Sequence, residues 1–171
     1  MNHTVRRAKK SDVLRIKGLA IKSFAAAYGM HNPEHIIDNY IEESFSLDKL
    51  NQEIDDTSNS FYLAESNGDI IGYLKLRDGT PPECISDANS LEIERIYADP
   101  DKKGLGIGRA LIQAALDHAQ ANNYNSLWLG VWQENTPSVG FYKAQGFEIA
   151  GEKIFMMGDD PQKDHVMEKV I

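Results

Sequence analysis

Three glycines alternate through DKKGLGIGRAL (residues 101–111), beside two lysines and an arginine and ahead of an apolar run typical of a helix. The first N–H groups of a helix have no intrahelical partners and lie at the positive end of the helix dipole. Glycine lets the backbone approach an anion closely and adopt a positive φ. The stretch therefore predicts an anion-binding loop, and the alternative is a plain turn that lets the helix pack on a sheet.

The spacing of these glycines excludes two common phosphate-binding motifs. A dinucleotide fingerprint requires G-x-G-x-x-G, and the last position counted from Gly104 is Arg109. A Walker loop requires Lys followed by Ser or Thr after its last glycine, and no such pair follows Gly108.

The surrounding pattern places the loop between a strand and a helix. LEIERIYA alternates and predicts a strand over 90–98, which Asp99-Pro100 ends. One apolar face predicts a helix from about 106 to 122. Beyond it we expect a buried strand over 126–132, SLWLGVW, and a short helix over 136–145, TPSVGFYKAQ.

The rest of the chain completes an α/β pattern. A short strand is followed by a helix that Ser11 or Asp12 caps, and a second helix begins with Asn32 as N-cap and Pro33 at its first helical position. A third short helix comes next, then a hairpin that turns at Asn67-Gly68. Two strands close the chain, and the order predicts an α/β fold.

Composition narrows the class of partner. The 171 residues carry a net charge of −8, which disfavours a nucleic-acid partner and is compatible with a cationic substrate, although an acidic surface for solubility explains the same charge. No apolar run approaches the roughly 20 residues of a membrane span, so no membrane partner is expected.

Cys84 is the one cysteine and cannot form an internal disulfide. We expect a cytoplasmic protein with a single domain over residues 1–171.

Two motifs resemble those of the GNAT acetyltransferase superfamily. KKGLGIGRALI resembles its pyrophosphate loop, Q/R-x-x-G-x-G/A, with Lys103 where the family has Gln or Arg. NTPSVGFYKAQGF (135–147) resembles its second motif, an Asn followed by FY and GF. FMMGDDPQKDHVMEK and NPEHIIDNYIEESFS look like the PaiA-type polyamine acetyltransferase branch.

This resemblance implies a GNAT fold, a mixed central sheet of about six to seven strands flanked by helices. It also implies acetyl transfer from acetyl-CoA to a primary amine, with polyamines such as spermidine and spermine as the first candidates. The amine is mostly protonated at neutral pH, so the reaction needs a base, and the departing thiolate needs a proton.

Catalytic roles follow from the resemblance. Related polyamine acetyltransferases carry a glutamate on the strand before the loop, which makes Glu94 the candidate general base, and Glu92 on the same face is the fallback. Burial would raise the pKa of Glu94 and improve it as a base, whereas an ordinary paired strand carboxylate is the alternative. Tyr142 matches the family's tyrosine near the thioester sulfur and is the candidate general acid, with a core tyrosine as the alternative.

The resemblance implies a set of coenzyme contacts from the strand end, the loop and the second motif. They are Ile96, Tyr97, Ala98, Lys103, Gly104, Leu105, Gly106, Ile107, Gly108, Arg109, Asn135 and Lys143. The strand end would pair with the pantetheine arm through its main chain, like an added strand. For Lys143, a solvated surface lysine is an equal alternative.

Acceptor residues are expected on or between the first two helices, which flank the acceptor groove in this fold. The candidates are Tyr28, His31 and Glu34, with Glu92 on the strand. His31 and His35 lie four residues apart but have no third ligand nearby, so no metal is expected. Cys84 has no recognisable His partner, which favours direct transfer over a cysteine nucleophile.

Other functions stay open at this point. The acceptor could be a protein N-terminal or lysine amine. The protein could also be a non-catalytic acyl-CoA-binding sensor, although a sensor needs neither Glu94 nor Tyr142. GNAT domains often dimerise through their late strands, so a homodimer is possible.

Overall fold

The chain forms five α-helices and seven β-strands in this computed structural model, which describes residues 2–171. The helices are α1 (Val13–Tyr28), α2 (Glu34–Ser44), α3 (Leu47–Asp55), α4 (Ile107–Ala121) and α5 (Thr136–Ala144). The strands are β1 (Thr4–Arg7), β2 (Asn59–Ser66), β3 (Asp69–Asp78), β4 (Ser90–Ala98), β5 (Ser126–Trp132), β6 (Glu148–Met157) and β7 (Asp160–Val170). The predicted α/β class and element order are confirmed.

The seven strands form one sheet in the order β1-β2-β3-β4-β5-β7-β6. β4 is parallel to β5, whereas β1 is antiparallel to β2 and β7 is antiparallel to both β5 and β6. The expected mixed sheet is therefore confirmed. The parallel register joins Ser90–Glu92 to Ser126–Trp128, so the carboxyl-terminal part of β4 extends past it.

The chain divides into two compact units. Unit 1 comprises the segment up to Lys75 together with Arg95–Leu111, and unit 2 comprises Leu76–Glu94 together with Ile112–Ile171. Fully buried apolar side chains fill each unit: Phe24, Phe45, Leu50, Leu63 and Tyr73 in unit 1, and Leu91, Leu127, Val166 and Met167 in unit 2. That the whole chain acts as one domain stays a prediction.

Local signals decide where the first helix begins. Asp12 is the N-cap of α1, at one of the two predicted positions. Its carboxylate does not cap that helix, because it accepts a hydrogen bond from the Lys9 N–H (2.8 Å) and pairs with the Arg6 guanidinium (2.9 Å). The Arg6 contact holds the pKa of Asp12 at about 2, so this carboxylate fixes the entry of the chain into α1.

The predicted start of α2 is wrong. Pro33 is the N-cap and α2 begins at Glu34, one residue later than expected. The Asn32 side chain instead donates through Nδ2 to the Tyr28 carbonyl (2.9 Å), one of the last carbonyls of α1. An Asn beside a helix end can satisfy either terminus, and here it satisfies the preceding one.

Among residues 2–171, no helix combines the length and the apolar character that crossing a membrane would require.

Candidate active site

The glycine loop lies in unit 1, and its backbone is left-handed at two positions. Gly104 has φ +80° and Gly106 has φ +75°, a region that L side chains rarely adopt. A Cβ added at either residue would meet no atom within 4 Å, so neither glycine is needed to let the helix pack. Their role is to shape the backbone, which favours the anion-binding interpretation over the packing turn.

Another glycine, Gly72 on β3, positions the start of α4. A Cβ at Gly72 would lie 2.5 Å from Cγ2 of Ile107 and 3.2 Å from the Tyr97 carbonyl oxygen. Ile107, the first residue of α4, is buried, and the Gly106 carbonyl accepts the Ala110 N–H at 3.0 Å. The N–H groups of the first turn have no intrahelical acceptors, so the helix presents unpaired donors beside the loop.

The segment between β4 and the glycine loop forms ion pairs with α1. The Lys22 ammonium lies 2.6 Å from Oδ1 of Asp99 and 2.6 Å from Oδ2 of Asp101. Asp99 also accepts the Asp101 N–H (3.0 Å) and donates its own N–H to the Ile71 carbonyl (2.8 Å). These contacts fix the backbone between β4 and the loop.

The remaining coenzyme candidates of unit 1 border this loop. Lys103 and Arg109 are exposed on either side of the glycines. Ile96, Tyr97 and Ala98 are half-buried at the end of β4, and the Tyr97 ring stacks on Tyr73 with centroids 5.8 Å apart. The strand end that leads into the loop is therefore held by an aromatic pair, in which Tyr73 is fully buried and Tyr97 is half-buried.

Two carboxylates of β4 lie in unit 2 and share one arginine. Glu92 is buried, and its Oε2 contacts Nη2 (2.7 Å) and Nε (2.8 Å) of Arg77. Glu94 is less buried and has a longer contact of 3.4 Å between Oε1 and Nη1 of Arg77. Burial raises the pKa of Glu92, and the charge of Arg77 opposes that rise. The structure thus brings the candidate base and its fallback together.

The second motif forms α5 in unit 2. Asn135 is its N-cap and accepts the Ser138 N–H through Oδ1 at 3.3 Å, which leaves the Asn135 amide nitrogen to donate elsewhere. Tyr142 is buried, with its ring packed edge-on against Phe147 at 6.0 Å between centroids. Lys143 is exposed. One short helix therefore carries three of the predicted residues.

The predicted acceptor residues of the helices lie in unit 1. Tyr28 is half-buried at the end of α1, with its ring 4.6 Å from that of Phe24. His31 and Glu34 are exposed, His31 in the α1–α2 turn and Glu34 at the first position of α2. Within residues 2–171, no cluster of three or more His, Cys, Asp and Glu side chains suits a metal ion.

A group of side chains on the sheet of unit 2 was not predicted from the sequence. Trp128 lies opposite Glu92 in the β4–β5 register, and the Lys153 ammonium lies over the Trp128 ring. Asp164 is buried nearby, beside Gly130. The available signal was a glycine inside the strand SLWLGVW, which marks a close approach in the middle of a sheet.

Comparison with known proteins identifies the family. The acetyltransferase (GNAT) family profile matches residues 24–147, which include the loop and the second motif. The chain belongs to this family. It is therefore an acyltransferase, and the acetyl donor of GNAT enzymes is acetyl-CoA.

Individual GNAT relatives agree over the full length. The chain is 31% identical over 162 residues to an uncharacterized N-acetyltransferase of Lactobacillus delbrueckii subsp. lactis, covering 95% of this chain and 94% of that one. Its fold is similar to that of PaiA N-acetyltransferase from Thermoplasma acidophilum in complex with coenzyme A, with TM-score 0.80, 24% identity and complete coverage of both chains.

A GNAT enzyme whose name states its acceptor also has a similar fold. The ribosomal-protein-S18-alanine N-acetyltransferase from Escherichia coli matches with TM-score 0.73 and 16% identity, over 99% of this chain and 94% of that one. At this level of identity the likeness shows the fold alone, and the fold does not identify the acceptor of this chain.

Proposed function

We propose that this GNAT enzyme acetylates a small cationic amine, most consistent with a polyamine such as spermidine or spermine, by direct attack in a ternary complex. The observation that carries the proposal is the pair of carboxylates on β4 in unit 2, where Glu92 and Glu94 project from the same side of the strand and both contact Arg77. Carboxylates there attract a protonated amine and can accept its proton.

Glu94 is the better candidate for the general base. The two shorter Arg77 contacts, 2.7 and 2.8 Å, both go to Glu92, whereas the Glu94 contact is 3.4 Å. A guanidinium held close to a carboxylate stabilises its charged form and makes it a weaker base. Arg77 therefore stabilises the charge of Glu92 more than that of Glu94, which favours Glu94 as the group that takes the proton of the amine.

Tyr142 is the proposed general acid, which donates its phenolic proton to the departing thiolate. A phenol with a pKa near 10 can protonate a thiolate with a pKa near 8.5 in a site that excludes water. Its burial on α5 supports this role, because packing against Phe147 holds the ring in place. When bound, acetyl-CoA supplies the acetyl thioester that the amine attacks.

The loop of unit 1 fits the pyrophosphate of coenzyme A. Gly104 and Gly106 give a left-handed backbone with open space beside it, and the first turn of α4 adds N–H donors. Lys103 and Arg109 add positive charge. Ile96, Tyr97 and Ala98 would pair with the pantetheine arm, Asn135 would donate to it through its amide, and Lys143 would reach the phosphates.

The test of the reaction follows thiol release from acetyl-CoA against polyamines, aminoglycosides, amino acids and short peptides. We expect turnover with spermidine or spermine, and a fall in kcat of about 100-fold or more in Tyr142→Phe and in Glu94→Gln. Tyr124→Phe and Glu43→Gln are matched controls, and both should turn over normally. Peptide turnover alone would favour a protein acceptor, and tight acetyl-CoA binding without any turnover would favour a sensor.

The test of the loop is Gly106→Val. Valine at φ +75° strains the backbone, so acetyl-CoA binding should be lost while the protein stays folded, as judged by circular dichroism. Gly79→Val is the control, because a Cβ at Gly79 meets no atom within 4 Å and its φ is not positive. If folded Gly106→Val binds acetyl-CoA with unchanged affinity, the loop does not bind the pyrophosphate of the coenzyme.

Two further expectations belong to this proposal. We propose a cytoplasmic enzyme, on the basis of its single cysteine.

We also propose a homodimer through the edge strand β6, on which Ile154 and Met156 are 57% and 50% exposed. Light scattering that gives the mass of one chain would exclude the dimer.

A further inference from the structure

Gly130 leaves a space on the sheet of unit 2 that two charged groups share. It lies inside β5, where glycine weakens a strand and marks a close approach. A Cβ at Gly130 would be 2.5 Å from Cε of Lys153, 2.9 Å from its Nζ and 3.1 Å from Oδ2 of Asp164. The glycine therefore makes room for an ammonium group beside a carboxylate.

Asp164 is a buried carboxylate that faces this space. It is 6% exposed, and its Oδ1 accepts no hydrogen bond from the described residues. Burial raises its pKa to about 6, and the charge of Lys153 opposes that rise. Buried carboxylates are normally hydrogen-bonded or paired, so an unsatisfied oxygen in this position calls for a ligand.

Trp128 supplies an aromatic wall to the same space. The Lys153 ammonium lies 5.3 Å from the centroid of the Trp128 ring, within the range of a cation–π interaction. Trp128 is 5% exposed, and Glu92 lies across from it in the strand register. An aromatic face with carboxylates beside it is the environment that recognises alkylammonium ions.

We propose that Trp128, Asp164 and the space above Gly130 form an ammonium-binding subsite, which Lys153 fills in the unliganded enzyme and which an ammonium group of the acceptor takes over. The inference rests on the proposed function and adds the substrate class: the acceptor carries at least two amines. Lys153 is half-buried and has a long flexible stem, so its head can leave the space.

The bound ammonium is the one that does not react. Attack on a thioester requires a neutral amine, whereas a carboxylate and an aromatic face stabilise the protonated form and oppose its deprotonation. The subsite therefore suits a group that stays charged while a second amine of the same molecule is acetylated. A diamine should be a much better acceptor than a monoamine of equal length.

The binding experiment titrates 1,4-diaminobutane into enzyme saturated with coenzyme A, which cannot transfer acetyl, and measures the affinity by calorimetry. Asp164→Asn should weaken binding about tenfold, because the carboxylate is lost. Lys153→Met should strengthen it about tenfold, because the competing ammonium is gone. Asp159→Asn and Lys163→Met, on exposed residues, are the matched controls and should bind as the wild type does.

The opposite signs of the two variants separate a subsite from a structural role, since a damaged fold would weaken binding in both. Gly130→Ala provides a third variant, because its methyl group enters the shared space, and it should weaken binding as well. Equal or weaker binding by Lys153→Met would overturn the subsite, as would unchanged binding by Asp164→Asn.

A kinetic comparison keeps the subsite distinct from the proposed function. In wild type, kcat/KM for 1,4-diaminobutane should exceed that for n-butylamine at least tenfold, and Asp164→Asn should remove most of this preference by raising KM for the diamine. If no amine is acetylated but the variants shift diamine binding as stated, the subsite stands and the proposed function fails. If amines are acetylated with no preference for two amines, the subsite fails and the proposed function stands.

Discussion

Glu53 in unit 1 and Asp164 in unit 2 are buried to nearly the same extent, at 7% and 6% exposure, but their surroundings are opposite. Glu53 lies 2.7 Å and 3.0 Å from the two terminal nitrogens of Arg95, and Lys75 approaches it to 3.3 Å. Both oxygens of Glu53 are thus engaged, whereas Oδ1 of Asp164 accepts no hydrogen bond from the described residues.

The difference separates a structural carboxylate from one available to a ligand. A buried carboxylate–guanidinium pair with two hydrogen bonds holds the elements that carry it in one arrangement. Removing one partner is costly, because the charge of the other stays buried. A buried carboxylate with one oxygen that accepts no hydrogen bond costs stability in the unliganded protein and is retained where a ligand can satisfy it. Burial alone does not tell the two apart, but the contacts do.

The largest effect is expected from Glu53→Gln. It removes a carboxylate that contacts the buried cations Arg95 and Lys75, so the free energy of unfolding should fall by about 3 kcal/mol or more. Urea denaturation at pH 7 measures it. Glu43→Gln, on the exposed side of α2, is the control and should change stability by less than about 0.5 kcal/mol. A small effect at Glu53 would remove its distinction from Asp164.

The second-largest effect is a gain in stability, and it is expected from Asp164→Asn. The pKa of Asp164 is about 6 in the folded protein against an ordinary 3.8, so the folded state keeps this proton to higher pH than the unfolded state does. The stability of wild type therefore falls as pH rises between about 4 and 6, and stays reduced above that. Asparagine does not ionise, so Asp164→Asn should be the more stable protein at pH 8.

The expected gain for Asp164→Asn at pH 8 is about 1–2 kcal/mol, less than the roughly 3 kcal/mol that the full difference between the folded and unfolded pKa would give, because solvent screens part of it. Urea denaturation at pH 8 and at pH 4 measures the gain, which should vanish at the lower value. Asp159→Asn should show no such pH dependence. A variant that loses stability at pH 8 would mean that Asp164 is satisfied in the folded protein.

Local patterns predicted most of the fold. Apolar periodicity and the turn residues placed every helix and strand, and the glycine spacing identified the loop at Gly104 and Gly106 before its left-handed backbone was known. These features depend on residues that are neighbours in sequence. The start of α2 was the exception, because Asn32 had two helix ends within reach and the sequence does not rank them.

Charge pairing between distant segments could not be predicted in this way. Glu53 and Arg95 are 42 residues apart, so nothing in their local sequence marks them as partners. Asp164 looks like an ordinary alternating residue of a closing strand, and its burial depends on the register of β7 with β5 and β6. Asn135 and the glutamate pair of β4 could be singled out from the sequence, because a motif marks Asn135 and a shared strand face marks the two glutamates. That Asn135 caps α5 was not predicted.

The smallest effect is expected from Lys153→Met, which tests directly how the neighbouring ammonium acts on Asp164. The Lys153 charge lowers the pKa of Asp164, so Lys153→Met should raise that pKa above about 6. Carbon-13 NMR of the aspartate carboxyl signals measures the titration, and stability at pH 8 should fall by only about 0.5 kcal/mol. Lys163→Met should leave the pKa unchanged. If Lys153→Met also leaves the pKa unchanged, the Lys153 ammonium does not act on Asp164. The difference between Asp164 and Glu53 then depends on hydrogen bonding alone and not on the charge of Lys153.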